Sequence, residues 1–224
     1  MAKLRAVQSD LAYQGDFSSP AFELVGSFAT LLGRLHARLA TFGLRPGDLK
    51  LEPGQGLADS ALACSLPGLN AVVRVRVERV EANFLELRRV TQDQVAGIIL
   101  QAVGAVQDLL PQVSFKSHSI GLSAHGLFED IVYEDFIQRY APKSPEDLGP
   151  ALGRGVVCYY GPEEERDSSL VVLDKSLLVP GGLYLRTHFS LNGAKVPLAD
   201  VQSKASAYVN LILEKVGLEI NWGA

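Results

Sequence analysis

Three long stretches of this sequence place apolar residues three and four positions apart, which is the period of an amphipathic helix. They run from Ser19 to Phe42, from Thr91 to Leu110 and from Pro197 to Gly217. A helix with one apolar side must bury that side against another layer, and the segments between these helices are rich in β-branched and aromatic residues. The sequence therefore predicts an α+β fold, in which long amphipathic helices pack on one side of an antiparallel sheet.

The strongest strand pattern is the alternation within Val72–Val80. Val73, Val75 and Val77 fall on one face there, and Arg74, Arg76 and Glu78 fall on the other, as in a strand that is covered on one face only. The run Val179–Gly182 predicts a hairpin, because a type II turn takes proline and then glycine at its centre. Further strands are predicted at residues 4–14, 57–66, 82–87, 115–122, 155–160, 170–173 and 183–191.

The helix at 91–110 has the clearest boundaries. Thr91 and Gln94 have the spacing of a capping box, and Pro111 ends the helix. The side opposite its apolar stripe carries few charges, which is unusual for a surface helix, and we expect either a second layer or a partner to cover it. Gln101 and Ala105 are the candidate interaction residues on this helix.

The order of the predicted elements is similar in the two halves of the chain. Residues 1–111 read as strand, long helix, several strands and helix, and residues 112–224 read as strand, short helix, several strands and helix. This order predicts one compact unit over 1–224 that is built from two similar β-α-β-β-(β)-α halves. The proline-rich stretch at 141–154 is the expected loop between elements of the second half.

Composition limits the class of protein. Hydrophobic residues make up 47% of the chain and charged residues 21%, a globular balance, and the net charge of −4 disfavours a nucleic-acid partner. Cys64 and Cys158 are the only cysteines, so a disulfide framework is not expected. The sequence shows neither a signal peptide after Met1 nor a run of 18 apolar residues, and we therefore expect a cytoplasmic protein without a membrane contact.

Three stretches carry a resemblance to a known family. They are His118-Ser-Ile-Gly-Leu-Ser123, Tyr140-Ala-Pro-Lys-Ser-Pro-Glu-Asp-Leu-Gly149 and Leu170-Val-Val-Leu-Asp174, followed by a C-terminal helix. Together they are similar to a sporadically distributed, uncharacterised family of bacterial proteins, mainly over the C-terminal half. The resemblance implies the same fold class and a bacterial origin, and it implies no activity and no catalytic residues.

The patterns of nucleophilic and metal-binding residues point away from an enzyme. Ser123 lies in a segment like the G-x-S-x-G elbow, but His125 stands where the second glycine is expected and no helix follows at once. His118 and His125 are seven residues apart, which places them on opposite faces of a strand, and no pair of residues has zinc-ligand spacing. We therefore expect no catalytic residue, no cofactor and no metal.

Charged clusters provide the remaining candidate interaction residues. Arg74 and Arg76 belong to the only basic concentration, but glutamates lie among these arginines, which favours ion pairing across an open sheet face over nucleic-acid binding. Residues 121–224 carry a net charge of −5 and residues 1–120 a net charge of +1. The acidic run Glu163, Glu164 and Glu165 is therefore a candidate contact for a basic partner.

Three functions follow from these patterns. The first is a non-catalytic protein-binding or scaffold protein of a bacterial cytoplasmic system, which binds another protein or itself as a homodimer. The alternative is a small-molecule-binding protein with an apolar cavity between helices and sheet, into which a tyrosine hydroxyl projects. The third is an enzyme of unrecognised type. The candidate tyrosines for the cavity are Tyr159, Tyr160, Tyr184 and Tyr208.

Overall fold

The computed structural model describes residues 1–56, 58–140 and 153–222, which form a mixed α+β protein with a ten-stranded, mainly antiparallel sheet. The α+β prediction is thereby confirmed. None of the helices in these ranges combines the length and the hydrophobicity that crossing a membrane requires. The strands are β1 (Ala2–Phe17), β2 (Leu49–Glu52), β3 (Ala61–Leu66), β4 (Ala71–Val75), β5 (Arg79–Leu85), β6 (Phe115–Phe128), β7 (Val156–Tyr160), β8 (Arg166–Lys175), β9 (Leu183–Asn192) and β10 (Leu218–Asn221), and the helices are α1 (Glu23–Gly26), α2 (Phe28–Leu39), α3 (Gln92–Leu109), α4 (Tyr133–Ile137) and α5 (Leu198–Lys215).

The two longest strands, β1 and β6, form the antiparallel centre of the sheet. The strand order is β2-β3-β4-β5-β1-β6-β9-β8-β7, and β10 pairs in parallel with the start of β1. A bulge at Val7 shifts the pairing of β1 by one residue. Side chains alternate between the two faces of a strand, so one extra residue reverses the alternation. Leu4, which precedes the bulge, and Tyr13, which follows it, therefore lie on the same buried face.

The strands of each half follow one another outward from this central pair. β5, β4 and β3 lie beyond β1, whereas β9, β8 and β7 lie beyond β6. The first half also contains β2 and the twelve-residue helix α2, and the second contains α4, with five residues. The similarity of 1–111 to 112–224, and the single compact unit over 1–224, stay predictions.

Buried side chains form two clusters. The larger one joins α2, α3 and the start of α5 to β1, β3, β4, β5 and β6, and it includes Leu35, Val103 and Ile120. The smaller one joins α4 and the end of α5 to β8, β9 and β10, and it includes Phe136 and Leu185. Residues at alternate positions of the central strands belong to these clusters. The residues between them point to the other face of the sheet. That helices cover only one face stays a prediction.

Two local signals correctly predicted where a helix begins and where a hairpin turns. The capping box of α3 is confirmed, since the Gln94 N–H donates to Thr91 Oγ1 at 3.2 Å and the Thr91 N–H donates to Gln94 Oε1 at 2.9 Å. The Val179–Gly182 hairpin is also confirmed. The Gly182 N–H donates to the Val179 carbonyl at 2.9 Å, and Gly181 has φ +69°.

Two predicted elements were too long. Val72–Val80 is not one strand, because the chain turns back after Val75 and the Arg76 N–H donates to the Arg79 carbonyl at 2.9 Å. The helix predicted from Ser19 to Phe42 is interrupted at Ser27 between α1 and α2, where glycine and serine give little helical preference. Strands β2 and β10 were not predicted. The predicted strand start at Leu57 and the loop residues 141–152 lie outside the described ranges.

A candidate apolar binding cleft

A cleft of about 360 Å³ lies between α3 and α5. Its floor consists of Leu11 from β1 and of Ile120 and Leu122 from β6, so it lies over the central strand pair. The two helices meet near their first turns, where Gln202 Nε2 donates to the Gln92 carbonyl at 2.8 Å. This contact joins the two helices at the cleft, which both glutamines line.

The walls of the cleft are apolar because small and aliphatic residues of both helices line it, and some of them, such as Val95 and Val201, also belong to the larger buried cluster. These residues recur at spacings of three and four, so they share one helix side. Leu100, at 39% exposure, extends the apolar wall of α3 to the solvent. The apolar wall residues are Val95, Ala96, Ile99 and Leu100 of α3 and Leu198, Ala199, Val201, Ala205 and Val209 of α5.

Trp222, the only tryptophan of the chain, also lines the cleft. It follows β10, which is held in place by parallel pairing of Ala2 with Leu218. Trp222 packs on the smaller cluster and Ile120 belongs to the larger one. The cleft therefore opens where the two buried clusters meet.

Arg88 is the only charged side chain among the described residues that line the cleft. Its turn is positioned by Glu86, a non-glycine residue at φ +65°, whose N–H donates to Asp10 Oδ1 at 3.1 Å. The Glu86 carboxylate lies 2.5 Å from Arg89 Nε but 3.9 Å from Arg88 Nη2. Arg88, with a side chain that is 54% exposed, is thus loosely held and able to contact a ligand.

The remaining polar groups of the cleft are uncharged. Gln92, Gln202, Ser206 and Asn210 supply amides and one hydroxyl beside the apolar walls. Ligand sites typically combine an apolar surface with a few polar groups that orient the ligand. This arrangement suits a small molecule with an apolar body and an anionic end.

The candidate interaction residues on α3 are covered by a second layer of this chain. Ala105 is fully buried. Gln101 Oε1 accepts a hydrogen bond from Arg38 Nη1 at 2.9 Å, and Arg38 Nη2 lies 2.6 Å from Asp108. We expected either a second layer of this chain or a partner on this side of α3. Helix α2 is a second layer beside Gln101 and Ala105, so a partner is not needed there.

The arginines of β4 and its turn form ion pairs across the strands. Arg74 Nε lies 2.8 Å from Glu52 Oε2, and this hydrogen bond lowers the pKa of Glu52 and raises that of Arg74. Arg76 Nε lies 3.5 Å from Glu81 Oε1, which Arg79 also contacts. The predicted alternative of ion pairing on a sheet face is confirmed for both residues.

Two of the three candidate glutamates have partners within the chain. Glu163 Oε1 lies 2.5 Å from Arg166 Nη2, and Glu165 pairs with Lys204. Glu164 is exposed, and only its backbone carbonyl accepts a described hydrogen bond, from Lys195 at 2.9 Å.

His118 lies on the opposite face of β6 from Ser123 and His125. His118 is buried beside Tyr13, whereas His125 lies on the other face with Nδ1 2.9 Å from Ser176 Oγ, which confirms their predicted opposite orientation. Ser123 pairs in register with Asp10 and Arg186. Within the described ranges, no three histidine, cysteine or carboxylate side chains are grouped as metal ligands would be.

The tyrosines proposed for a cavity lie elsewhere. Tyr159 is 80% exposed on β7, Tyr184 stacks on His125, and Tyr208 stacks on Phe189. Neither these three nor Tyr160 is among the described residues that line the cleft. Sequence reasoning also missed Arg88 and Trp222 as cleft residues.

Comparison with known proteins adds no family. No protein-family model matches this sequence, and no curated protein matches it. The resemblance to the bacterial family stays a prediction.

Proposed function

We propose that this protein binds a small apolar molecule with an anionic end in the cleft between α3 and α5. The observation that carries the proposal is the combination of an apolar cleft of about 360 Å³ with a single charged lining residue, Arg88. Of the functions that the sequence predicted, the small-molecule alternative is the one that this geometry favours. Bacterial origin, cytoplasmic location and the lack of catalysis belong to the proposal and rest on sequence patterns alone.

The size of the cleft limits the ligand. Liquid water occupies ~30 Å³ per molecule, so a cleft of about 360 Å³ has room for roughly a dozen waters. This volume is near the lower end of known ligand pockets, which span ~300 to 1,000 Å³. A medium-chain carboxylate such as decanoate fits this size class.

Burial of the apolar chain would supply most of the affinity. Each methylene that leaves water contributes ~0.8 kcal/mol, but lost translational freedom and chain ordering offset a large part of this gain. At ~0.3 to 0.6 kcal/mol per non-hydrogen atom, a ligand of about a dozen atoms binds with a Kd between roughly 10 μM and a few mM. The guanidinium of Arg88 would then select for a carboxylate over a neutral end.

Trp222 gives a direct test, because it is the only tryptophan and it lies in the cleft. Titration with decanoate, below its micelle concentration, is expected to change the Trp222 emission in a saturable way. Ala96→Phe, which fills the cleft from the α3 wall, is expected to weaken this response by about tenfold or more. Ala37→Phe is the matched control, since Ala37 is exposed on α2 and does not line the cleft.

Two outcomes would contradict the proposal. One is the absence of any saturable change in emission, together with no heat of binding in calorimetry. The other is an equal loss of binding in Ala96→Phe and Ala37→Phe, which would show that the response does not depend on the cleft.

A further inference from the structure

Strand β7 is an edge of the sheet, since β8 is its only partner among the described strands. Its sequence is Val156-Val157-Cys158-Tyr159-Tyr160, which contains no charge, no proline and no glycine. Val157 is 52% exposed and Tyr159 is 80% exposed. Natural edge strands usually carry lysine or proline, because an uncharged edge offers unpaired N–H and C=O groups to another strand.

The opposite edge of the sheet is protected in the usual way. β2 has four residues, and two of them are Lys50 and Glu52. Glu52 is also tied to Arg74 by an ion pair. Strand β10, which pairs only with β1, carries Glu219, so among the described edge strands β7 is the one without a charged residue.

An apolar surface continues from β7 onto β8. Val157 pairs in register with Val172, and Tyr159 pairs with Leu170, so these four side chains lie on one face of two neighbouring strands. Leu170 and Val172 are both partly exposed. A strand added beside β7 would extend this face and cover its exposed side chains.

We propose that β7 pairs antiparallel with β7 of a second copy of this chain, around a two-fold axis at Cys158. Centring on Cys158 places Val157 opposite Tyr159 of the second copy, and Val156 opposite its Tyr160. Pairs of β-branched and aromatic residues are favourable across antiparallel strands. Because β7 carries no charge, no like charges meet at this two-fold contact.

The residues that flank β7 carry opposite charges at its two ends, and the proposed register brings these ends of the two copies together. Arg154 lies two residues before the strand, and the acidic run Glu163, Glu164 and Glu165 begins three residues after it. Continuing the antiparallel pairing by two residues places Arg154 opposite Pro162 of the second copy, next to Glu163 and Glu164. Glu163 already pairs with Arg166 within its own chain, so Glu164 is the acidic side chain that Arg154 would meet at each end of the paired strands.

The expected dimer is weak. Five residues a side bury far less than the ~1,600 Å² of a standard interface, so we expect association only at high protein concentration. In sedimentation velocity, the average mass is expected to rise with concentration. Tyr159→Lys places a charge on the contact face and is expected to lower the association constant by about tenfold. Leu51→Lys, at a 58% exposed position on the other edge strand, is the matched control and is expected to leave association unchanged.

Oxidative crosslinking through Cys158 gives a second test, which uses the unmodified protein. In the proposed register, the two Cys158 Cα atoms are ~4.5 to 5.5 Å apart, within the range that a disulfide spans. Copper–phenanthroline, which accepts the two electrons while the thiols lose their protons, is expected to link the copies through Cys158. Cys64 is fully buried and is not expected to react. Tyr159→Lys is expected to reduce the yield several-fold.

Three results would overturn the proposal. The first is a monomer at every concentration, without a Cys158 link. The second is a dimer that forms no Cys158 link, which would place the contact on another surface. The third is association that survives Tyr159→Lys but is lost in Leu51→Lys. Circular dichroism of each variant shows whether a loss of association merely reflects unfolding.

Discussion

Tyr13 and His118 are hydrogen-bonded inside the protein, with the Tyr13 hydroxyl 3.1 Å from His118 Nδ1. They lie on the two central strands, at 1% and 2% exposure. His118 is directly opposite Gly15, and Tyr13 is directly opposite Ile120, so the two polar groups meet along a diagonal. The absence of a side chain at Gly15 makes room for this contact.

Burial of this pair predicts a loss of stability in mild acid. Burial lowers the pKa of His118 from 6.5 to about 4, and the nearby charge of Asp16 only partly opposes the shift. The folded protein therefore keeps His118 neutral, whereas the unfolded chain takes up a proton near pH 6.5. This contribution is complete above about pH 6.5 and is lost as the pH falls toward 4, by on the order of 3 kcal/mol in all.

Urea unfolding of His118→Gln across this pH range checks the assignment. The variant is expected to be less stable at neutral pH, but its free energy of unfolding should fall less steeply with acid than that of the wild type. Burial also lowers the pKa values of His125 and His188, so some acid dependence is expected to persist. Identical slopes for the variant and the wild type would contradict the role of His118.

Gly15→Ala tests how tightly the central pair is packed. A Cβ at Gly15 would lie 2.8 Å from Phe115 Cε1 and still closer to the Tyr13 hydroxyl. We expect the variant to lose about 1 to 3 kcal/mol of stability, the usual effect of overpacking. Gly33→Ala is the control, because its Cβ would meet nothing within 4 Å on helix α2 and should stabilise by about 0.5 to 1 kcal/mol. Equal stability of Gly15→Ala and the wild type in thermal unfolding would argue against close packing here.

Arg88→Gln tests the proposed selection for an anionic end. The variant is expected to bind decanoate about two- to fivefold more weakly, because a partly exposed charge pair contributes up to ~1 kcal/mol. Binding of decanol, which has no charge, should not change. Arg89→Gln is the matched control, since Arg89 pairs with Glu86 and does not line the cleft. Equal losses for decanoate and decanol in calorimetry would exclude a charge-selective role of Arg88.

Much of the fold could be predicted because short, local residue patterns determine where its elements begin and turn. Thr91 and Gln94 defined the start of α3, and Gly181 defined the β8–β9 hairpin. Strand β10 could not be predicted in this way, since four residues after a helix become a strand only by pairing with the start of β1. The turn after Val75 was missed because Val77 continues the alternation of valines beyond the strand. Val77 is also buried, as a strand residue would be.

The candidate site was harder to predict than the fold. The apolar stripe of α5 was recognised, but nothing local shows that Leu198 and Ala96 face each other across a cleft. Arg88 looked like one member of a basic cluster, and its separation from the ion-paired Arg89 depends on the backbone at Glu86. Ala105 looked exposed because its side of α3 carries few charges, but α2 covers it.

The central claim is that the α3–α5 cleft holds an apolar ligand, and intermolecular nuclear Overhauser effects test it most directly. With methyl-labelled protein and decanoate, we predict contacts from the alkyl chain to the methyl groups of Ile120 and Leu122 and to the Trp222 indole. We predict no contacts to Leu31 or Leu35, which are buried on the inner face of α2. Contacts to methyl groups outside the cleft, or bound decanoate without contacts to Leu122 and Trp222, would contradict the account.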